Sequence, residues 1–384
     1  MRGTLDGQLL VFFPLLNSGA LEALATSKSR EESYADIVER VLNSSCPEVL
    51  CYSLDVLANI GCPTEGSTQL IAGLLSHSFS QVRERACRSL RYMKHAALPY
   101  LELVATKAND RYPDVRSEAI RSLVEIGRLS FDTSSAESGE SSKDQLSVNE
   151  TDCSLQQLRL DLPQSSPSWI QSILKATEDI NVSVKMTALH GLGLLFSFIN
   201  SVKIRRGSVE ATLLCLKHPD YQVRKEAIKA LGLMSPSYQA CKKAIELFSD
   251  RDLEVRREIF QFVRTKCTDG STEVAEAITE KLNFPDQGVC RSVKMYFRDP
   301  GPITHAYLVK LVMALVKRMS SSKEQTRKVS EVALNYLYNF RSEEVGTILD
   351  EGSRGKIGPS IFKNDFATAL NSLGLRTYGN SNSC

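Results

Sequence analysis

One arrangement of apolar and polar positions recurs along the chain: an apolar residue, a basic residue, a small or apolar residue four positions on, and another apolar residue four later. The clearest copies are VRERACRSL from Val82, VRSEAIRSLVEIG from Val115, VRKEAIKALG from Val223 and VRREIFQFV from Val255. Weaker copies begin at Val49 (VLCYSLDVLANIG), Val184 (VKMTALHGLG), Val289 (VCRSVKMYF) and Thr326 (TRKVSEVAL). The spacing i, i+4, i+8, often with i+5, puts Val223, Ala227, Ile228 and Leu231 on one stripe of a core-facing helix, whereas a strand would need period two. Upstream of each copy lies a second amphipathic segment, among them YADIVERVL at 34–42, STQLIAGLL at 67–75 and YLVKLVMALVKRM at 307–319. Each unit therefore reads as a helix A, a short turn and a helix B that carries the recurring pattern.

Turn chemistry marks the boundaries. Asp220, Asp252 and Asp286 each lie three residues before the first apolar position of a B helix, and Asn181 holds the same place. All four suit an N-cap or the first helical turn. Pro47, Pro113, Pro219 and Pro285 fall in the turn between A and B, and Gly61 and Gly127 are placed as glycines just past a helix end. The starts at 49, 82, 115, 184, 223, 255, 289 and 326 are separated by 32 to 39 residues, except for one interval of 69. That interval contains residues 129–166, which are rich in serine and hold seven acids against Lys143 and Arg159, a local net charge of −5. Such a composition cannot bury enough apolar surface to order itself. It is expected to be a flexible loop that breaks the array into two halves.

The D-x-x-V-R-x-x-A-x-x-x-L-G pattern on the second helix of each pair resembles the HEAT family and its shorter HEAT-like relatives, over roughly residues 34–340. The T-P-L-H-x-A of ankyrin repeats and the tryptophan/tyrosine pattern of tetratricopeptide repeats are absent. The spacing is short for HEAT units of about 40 residues, which leaves the subfamily open. The resemblance implies an all-α fold, an α-solenoid (alpha-alpha superhelix) of about eight HEAT-like helix pairs. The expected layout is N-terminal capping helices at 1–33, repeats one to three at 34–128, the acidic loop at 129–166, repeats four to eight at 167–340, and a C-terminal cap and tail at 341–384. A last helix is expected at Ile361–Leu373.

Composition narrows the class. Apolar residues are 42% and charged residues 24% of the chain, so it folds as a globular protein, and the net charge of +2 gives no global field directed at nucleic acid or membrane. Ten scattered cysteines form no CxxC and no cluster of zinc spacing, as expected of reduced thiols in a cytoplasmic or nuclear protein. The apolar stretch Leu9–Leu16 contains Pro14 and lacks a clean cleavage site, which favours a capping helix over a signal segment. No apolar run is long enough to span a bilayer.

No constellation carries chemistry, and no catalytic, metal or cofactor site is expected. Phosphate-cradling glycine loops, nucleophile elbows and dinucleotide fingerprints are missing. The resemblance does extend to a di-iron hydroxylase with His-Glu pairs and to helical-repeat DNA glycosylases. None of the five histidines here precedes a glutamate, and the single tryptophan, Trp169, reads as core. Gly191 and Gly193 lie within an apolar helix and suit close helix packing.

Two rows of side chains remain. Arg83, Arg116, Lys185, Arg224, Arg256 and Arg327 follow the first apolar position and flank the buried stripe. They are expected to form a structural ladder with acids in the turns of neighbouring repeats, Asp220, Asp252 and Asp286 among them. Two and six positions after the first apolar residue, an outward row runs from Cys51, Asp55, Glu84, Arg88, Ser117 and Arg121 to Lys225, Lys229, Arg257, Arg291 and Lys328, joined by Met295 and Val332. If B helices line the curved surface, as the resemblance implies, Lys225, Lys229, Arg257, Arg291 and Lys328 form a basic stripe for a helix or an acidic peptide. The leading expectation is a non-catalytic protein-binding scaffold or adaptor within a larger assembly. Nucleic-acid binding along the same stripe is the alternative, weakened by the lack of aromatics among the lysines. A HEAT-like enzyme ranks third.

Overall fold

The computed structural model describes residues 42–43, 45–60, 65–137, 167–234, 237–267, 271–283 and 287–375. The capping helices at 1–33, the first A segment apart from Leu42, Gly61, the acidic stretch past residue 137, Pro285, Asp286 and the tail past 375 lie outside them. Two compact units, residues 1–208 and 209–384, divide the chain. The first holds α1 (Pro47–Ile60), α2 (Glu65–Leu74), α3 (Ser80–Tyr92), α4 (Leu101–Lys107), α5 (Pro113–Glu137), α6 (Ser168–Ala176) and α7 (Val182–Leu195). Helix α8 (Val202–Cys215) crosses the division. The second holds α9 (Tyr221–Leu233), α10 (Tyr238–Ile245), α11 (Leu253–Lys266), α12 (Thr272–Glu280), α13 (Gln287–Arg298), α14 (His305–Met319), α15 (Glu324–Phe340), α16 (Ser342–Ser353) and α17 (Lys363–Ser372). Odd-numbered helices are B and even-numbered ones A, and no strand occurs among the described residues. The fold is an all-α solenoid of alternating helix pairs.

The recurring pattern becomes the core. Val82, Ala86, Cys87 and Leu90 of α3, Val115, Ala119, Ile120 and Leu123 of α5, and Val223, Ala227, Ile228 and Leu231 of α9 are all fully buried. Each large aliphatic among them contributes about 1.5–3 kcal/mol by leaving water. B helices stack on B helices, α1 on α3, α3 on α5, α5 on α7, then α9 on α11, α11 on α13 and α13 on α15. Asn181, Asp220 and Asp252 cap α7, α9 and α11 by accepting backbone N–H bonds at their N-termini, and Ser237, Ser271 and Thr304 do the same for α10, α12 and α14. Cys46, Cys51, Cys87, Cys215, Cys241 and Cys267 form no disulfide, and all of these but Cys46 are buried.

Several local expectations need correction. In the first copy the buried stripe is Leu50, Leu54, Leu57 and Ala58, so the pattern starts at Leu50 rather than Val49. Cys51 is therefore next to the buried stripe and is itself buried instead of facing outward. Ser117 is buried as well, on a helix flanked by both α3 and α7. Helix α5 does not end at Gly127 but continues to Glu137, nine residues into the segment expected to be a loop. Phe131 explains the extension, since its ring meets Trp169 edge-on at 5.9 Å and stacks near Phe198 at 6.5 Å.

Nor does residue 129–166 break the array. Helices α5 and α7 pack directly, and α4 packs on α6, so the repeats on either side of the insertion are stacked neighbours within one unit. Two glycines make that approach possible. A Cβ at Gly127 would lie 2.5 Å from the Trp169 ring, and one at Gly191 would lie 2.4 Å from Val124 Cγ2. Trp169 itself is buried, with 3% of its surface exposed. The last helix forms close to expectation at Lys363–Ser372, behind a 3-10 turn at Ser360–Phe362.

Gly127→Val tests this joint. The added side chain must displace the Trp169 ring, costing about 1–3 kcal/mol by overpacking. Because Trp169 is the only tryptophan, a lowered melting temperature should come with red-shifted native fluorescence. A variant with parental melting and emission would mean that the ring does not sit on Gly127.

Candidate partner-binding surface

Arginines on the B helices clamp successive turns. Arg83 donates from Nη1 to the carbonyls of His77 and Ser78 in its own turn, and from Nε and Nη2 to both oxygens of Asp110 in the next, at 2.7 and 2.9 Å. Arg116 repeats the arrangement with the carbonyls of Asp110 and Arg111 and the carboxylate of Asp179, at 2.7 and 2.8 Å. Arg224 does so with His218, Pro219 and Asp250. Each aspartate also accepts the backbone N–H two residues on, from Tyr112, Asn181 and Asp252 respectively. Arg116 reaches Asp179 across 63 positions of sequence, so the clamp bridges the insertion.

The ladder's acids are thus Asp110, Asp179 and Asp250, not Asp220 and Asp252. The carboxylates of Asp220 and Asp252 are used on backbone N–H groups of their own helices. Two residues before Asp252, Asp250 is left to meet Arg224, whereas two residues before Asp220 stands His218. Asp286 lies outside the described residues. At the other ladder positions, Arg256 and Arg327 keep the carbonyl half of the clamp, to Asp250 and Arg251 and to Ser321 and Ser322. Arg256 Nε is buried without a partner. Lys185 acts on Asp179 only through its charge.

Burial alone would raise the Asp110 and Asp179 carboxyls, but the bonds from Arg83 and Arg116 and the backbone N–H groups outweigh it and hold both below the usual carboxylate range. The arginines' own values rise through the same bonds.

A second charged network, which the sequence reading missed, covers the B face of the first unit. Glu118 is 2% exposed and lies 3.1 Å from both Arg91 and Arg121, with Arg88 at 3.9 Å. Arg88 also meets Glu84 at 2.8 Å, and Arg85 meets Asp55 at 3.1 Å. The signal was the acid three positions into the α5 pattern, which the search for outward positions two and six passed over.

The basic stripe of the second unit is present but compensated. Lys225 pairs with Glu254 at 3.2 Å, Lys229 with Glu226 at 3.4 Å, Arg257 with Glu254 at 2.6 Å and Lys328 with Glu324 at 2.5 Å. Arg291 is exposed and has no ion pair among the described residues. Hydrogen bonds from Lys225 and Arg257 lower the Glu254 pKa, whereas burial raises that of Glu258 beside it. No group of three or more potential metal ligands occurs among the described residues, and no helix there is long and apolar enough to cross a membrane.

The class that this architecture defines is the α-solenoid of stacked helix pairs. Residues 67–137 match the family model described as HEAT repeats. Solved structures show the same fold at low identity. A chain of the Kap95:Nup1 complex aligns with TM-score 0.50 and 15% identity over 91% of this chain and 48% of its own length. A chain from the structure of Kap95p with RanGDP gives TM-score 0.50 and 15% identity over 93% and 49%. This chain spans about half the length of those two. An engineered protein aligns at 17% identity over 93% of this chain and 92% of its own, with TM-score 0.46. A search of curated proteins finds no match.

Breaking one rung should be costly. Arg224→Met leaves Asp250, 6% exposed, buried without its ion-pair partner, at about 3–5 kcal/mol, while Arg224→Met combined with Asp250→Leu should lose much less. Urea unfolding of the four proteins of this cycle measures the coupling, and strict additivity would show that the pair does not act as a unit. Acid adds a second test. Because the folded Asp110 and Asp179 values are depressed, their contribution is complete above the unfolded value of about 3.9 and is lost as pH falls from there through the folded values. Replacing both with Asn should flatten that limb of the stability profile.

Proposed function

We propose that this chain is a non-catalytic scaffold or adaptor that holds protein partners on the surface formed by its B helices. The observation that carries this is the outward face of α13 and α15, two helices packed side by side. Position two of the pattern there is Arg291 and Lys328, and position six is Met295 and Val332, which are 54% and 41% exposed. Exposed apolar side chains flanked by cations suit an amphipathic helix with an acidic rim. Lys225, Lys229 and Arg257 extend the charged part of the face onto α9 and α11. Their ion pairs with Glu226 and Glu254 keep at least one partner open to solvent and are worth about 0.2–1 kcal/mol each, so an acidic ligand can exchange with them at little cost.

The same compensation disfavours nucleic acid. A phosphate backbone needs cations that release counterions, and here three of the five stripe residues already face glutamates on α9 and α11. The Kap95 chains of like fold are found with Nup1 and with RanGDP. That supports a protein as the class of partner and points to neither of those two.

Two surface variants test the proposal, one combining Lys225→Glu, Lys229→Glu and Arg257→Glu, the other Met295→Ser and Val332→Ser. Both should retain the parental melting curve and lose most capture of the proteins that co-purify with the tagged parent from its own cells. Undiminished capture by both variants would make this face an ordinary solvated surface. A partner released by nuclease rather than by these substitutions would favour nucleic acid.

A further inference from the structure

Arg318, near the end of α14, departs from every paired arginine of the ladder. Its Nε and Nη2 are buried and have no hydrogen-bond partner, and no carboxylate lies within ion-pair distance among the described residues. Arg83, Arg116 and Arg224 use that same Nε/Nη2 edge to hold an aspartate side-on. Burial also lowers the Arg318 pKa from its ordinary value, with Glu280 pulling the other way. A partly buried cation whose Nε/Nη2 edge lacks a hydrogen-bond partner costs free energy that an incoming anion would recover.

A cavity of about 390 Å³ lies beside it, lined by residues of α12, the end of α14 and the start of α15. Lys317, Arg318 and Lys323 supply its cations, and Glu276 and Glu280 its acids. Glu276 is engaged by Lys317 at 2.9 Å, whereas Lys323 has no ion pair among the described residues. Cations exceed acids by one, which a single carboxylate balances. The cavity is open to solvent and far larger than one carboxylate, leaving room for the chain that carries it.

We propose that this cavity receives an acidic side chain from a segment of a partner protein, with Arg318 turning its free Nε/Nη2 edge onto the carboxylate in the side-on geometry of the ladder. The site lies on A helices, on the turn before α15 and on the first turn of α15, uses none of the B-face residues named above, and shares with the proposed function only the class of partner. The two can therefore fail separately.

The test uses the full chain and a fluorescein-labelled peptide with a Glu-Glu-Glu core, titrated by fluorescence anisotropy beside its Gln-Gln-Gln counterpart. Arg318→Met should weaken binding of the acidic peptide at least about tenfold, through loss of a charge-assisted bond pair, and Lys323→Gln should weaken it less. The triple glutamate variant of the B face should bind like the parent. Removing a buried unpaired charge should leave the melting temperature of Arg318→Met unchanged or higher. Equal affinity of Arg318→Met and parent, binding no better than that of the Gln peptide, or dependence on the B face instead would overturn the proposal. A drop in melting temperature would make Arg318 a structural residue and overturn it as well. Displacement of the peptide by equimolar inorganic phosphate would assign the cavity to a free small anion rather than to a protein segment.

Discussion

The clamp between an arginine and two successive turns is the constraint on which the stack depends. A helix end leaves backbone carbonyls without intrahelical partners, and in each repeat whose ladder residue is an arginine one Nη1 takes up two carbonyls of the turn between A and B. In Arg83, Arg116 and Arg224 the rest of the guanidinium grips the next repeat's aspartate in a planar, two-bond geometry that fixes orientation as well as distance. Lysine cannot do both, since its ammonium is a point charge without a fork. The sequence varies accordingly. Asp110, Asp179 and Asp250 follow repeats that carry Arg83, Arg116 and Arg224, whereas His77 and His218 stand at the equivalent place after Cys51 and Lys185. Those histidines still accept the N–H two residues on, at 3.2 and 3.1 Å, so the turn is kept where the rung is not.

The helix pairs were legible because burial imposes one period on every B helix. Valine, alanine and leucine at i, i+4 and i+8 fall inside whatever the intervening residues are. What escaped depends on competition between near neighbours. Val49 and Leu50 are both apolar, and only packing decides which begins the stripe. Asp250 and Asp252 are both acidic, and only the backbone decides which caps α11 and which meets Arg224. Gly127 looks like a helix terminator because its other use, admitting the ring of Trp169, depends on a residue 42 positions away. For the candidate surface, the basic residues were visible from the pattern. Their glutamate partners were not, because Glu226 and Glu254 sit at positions that the two-and-six rule omits.

The insertion after α5 shows how local this architecture is. Closing a loop costs free energy that grows only with the logarithm of its length. A contact as good as Arg116 with Asp179, joined by the close approach of Gly127 to Trp169 and of Gly191 to Val124, can therefore hold two repeats together whatever the length of chain between them. Composition identified an interruption in the sequence. It carried no information about the stack, since adjacency in a solenoid is decided at the interface between repeats rather than along the chain.

Burial sorts the charges into separate tasks. The ladder pairs are nearly inaccessible, so breaking one strands a charge, and the residues that set the stacking cannot also be the ones that exchange with a partner. The pairs on the B face of α9, α11 and α15 each keep at least one partner open to solvent and are weak, so they can be remade with a ligand without disturbing the fold. Arg318 belongs to neither group, being a partly buried cation with its Nε/Nη2 edge unfilled. Because the geometry of the stack is fixed by a few inward-facing arginines, the outward positions are free to vary from repeat to repeat. That freedom is what allows one surface of the array to differ in charge and exposed apolar area along its length while every repeat keeps the same core.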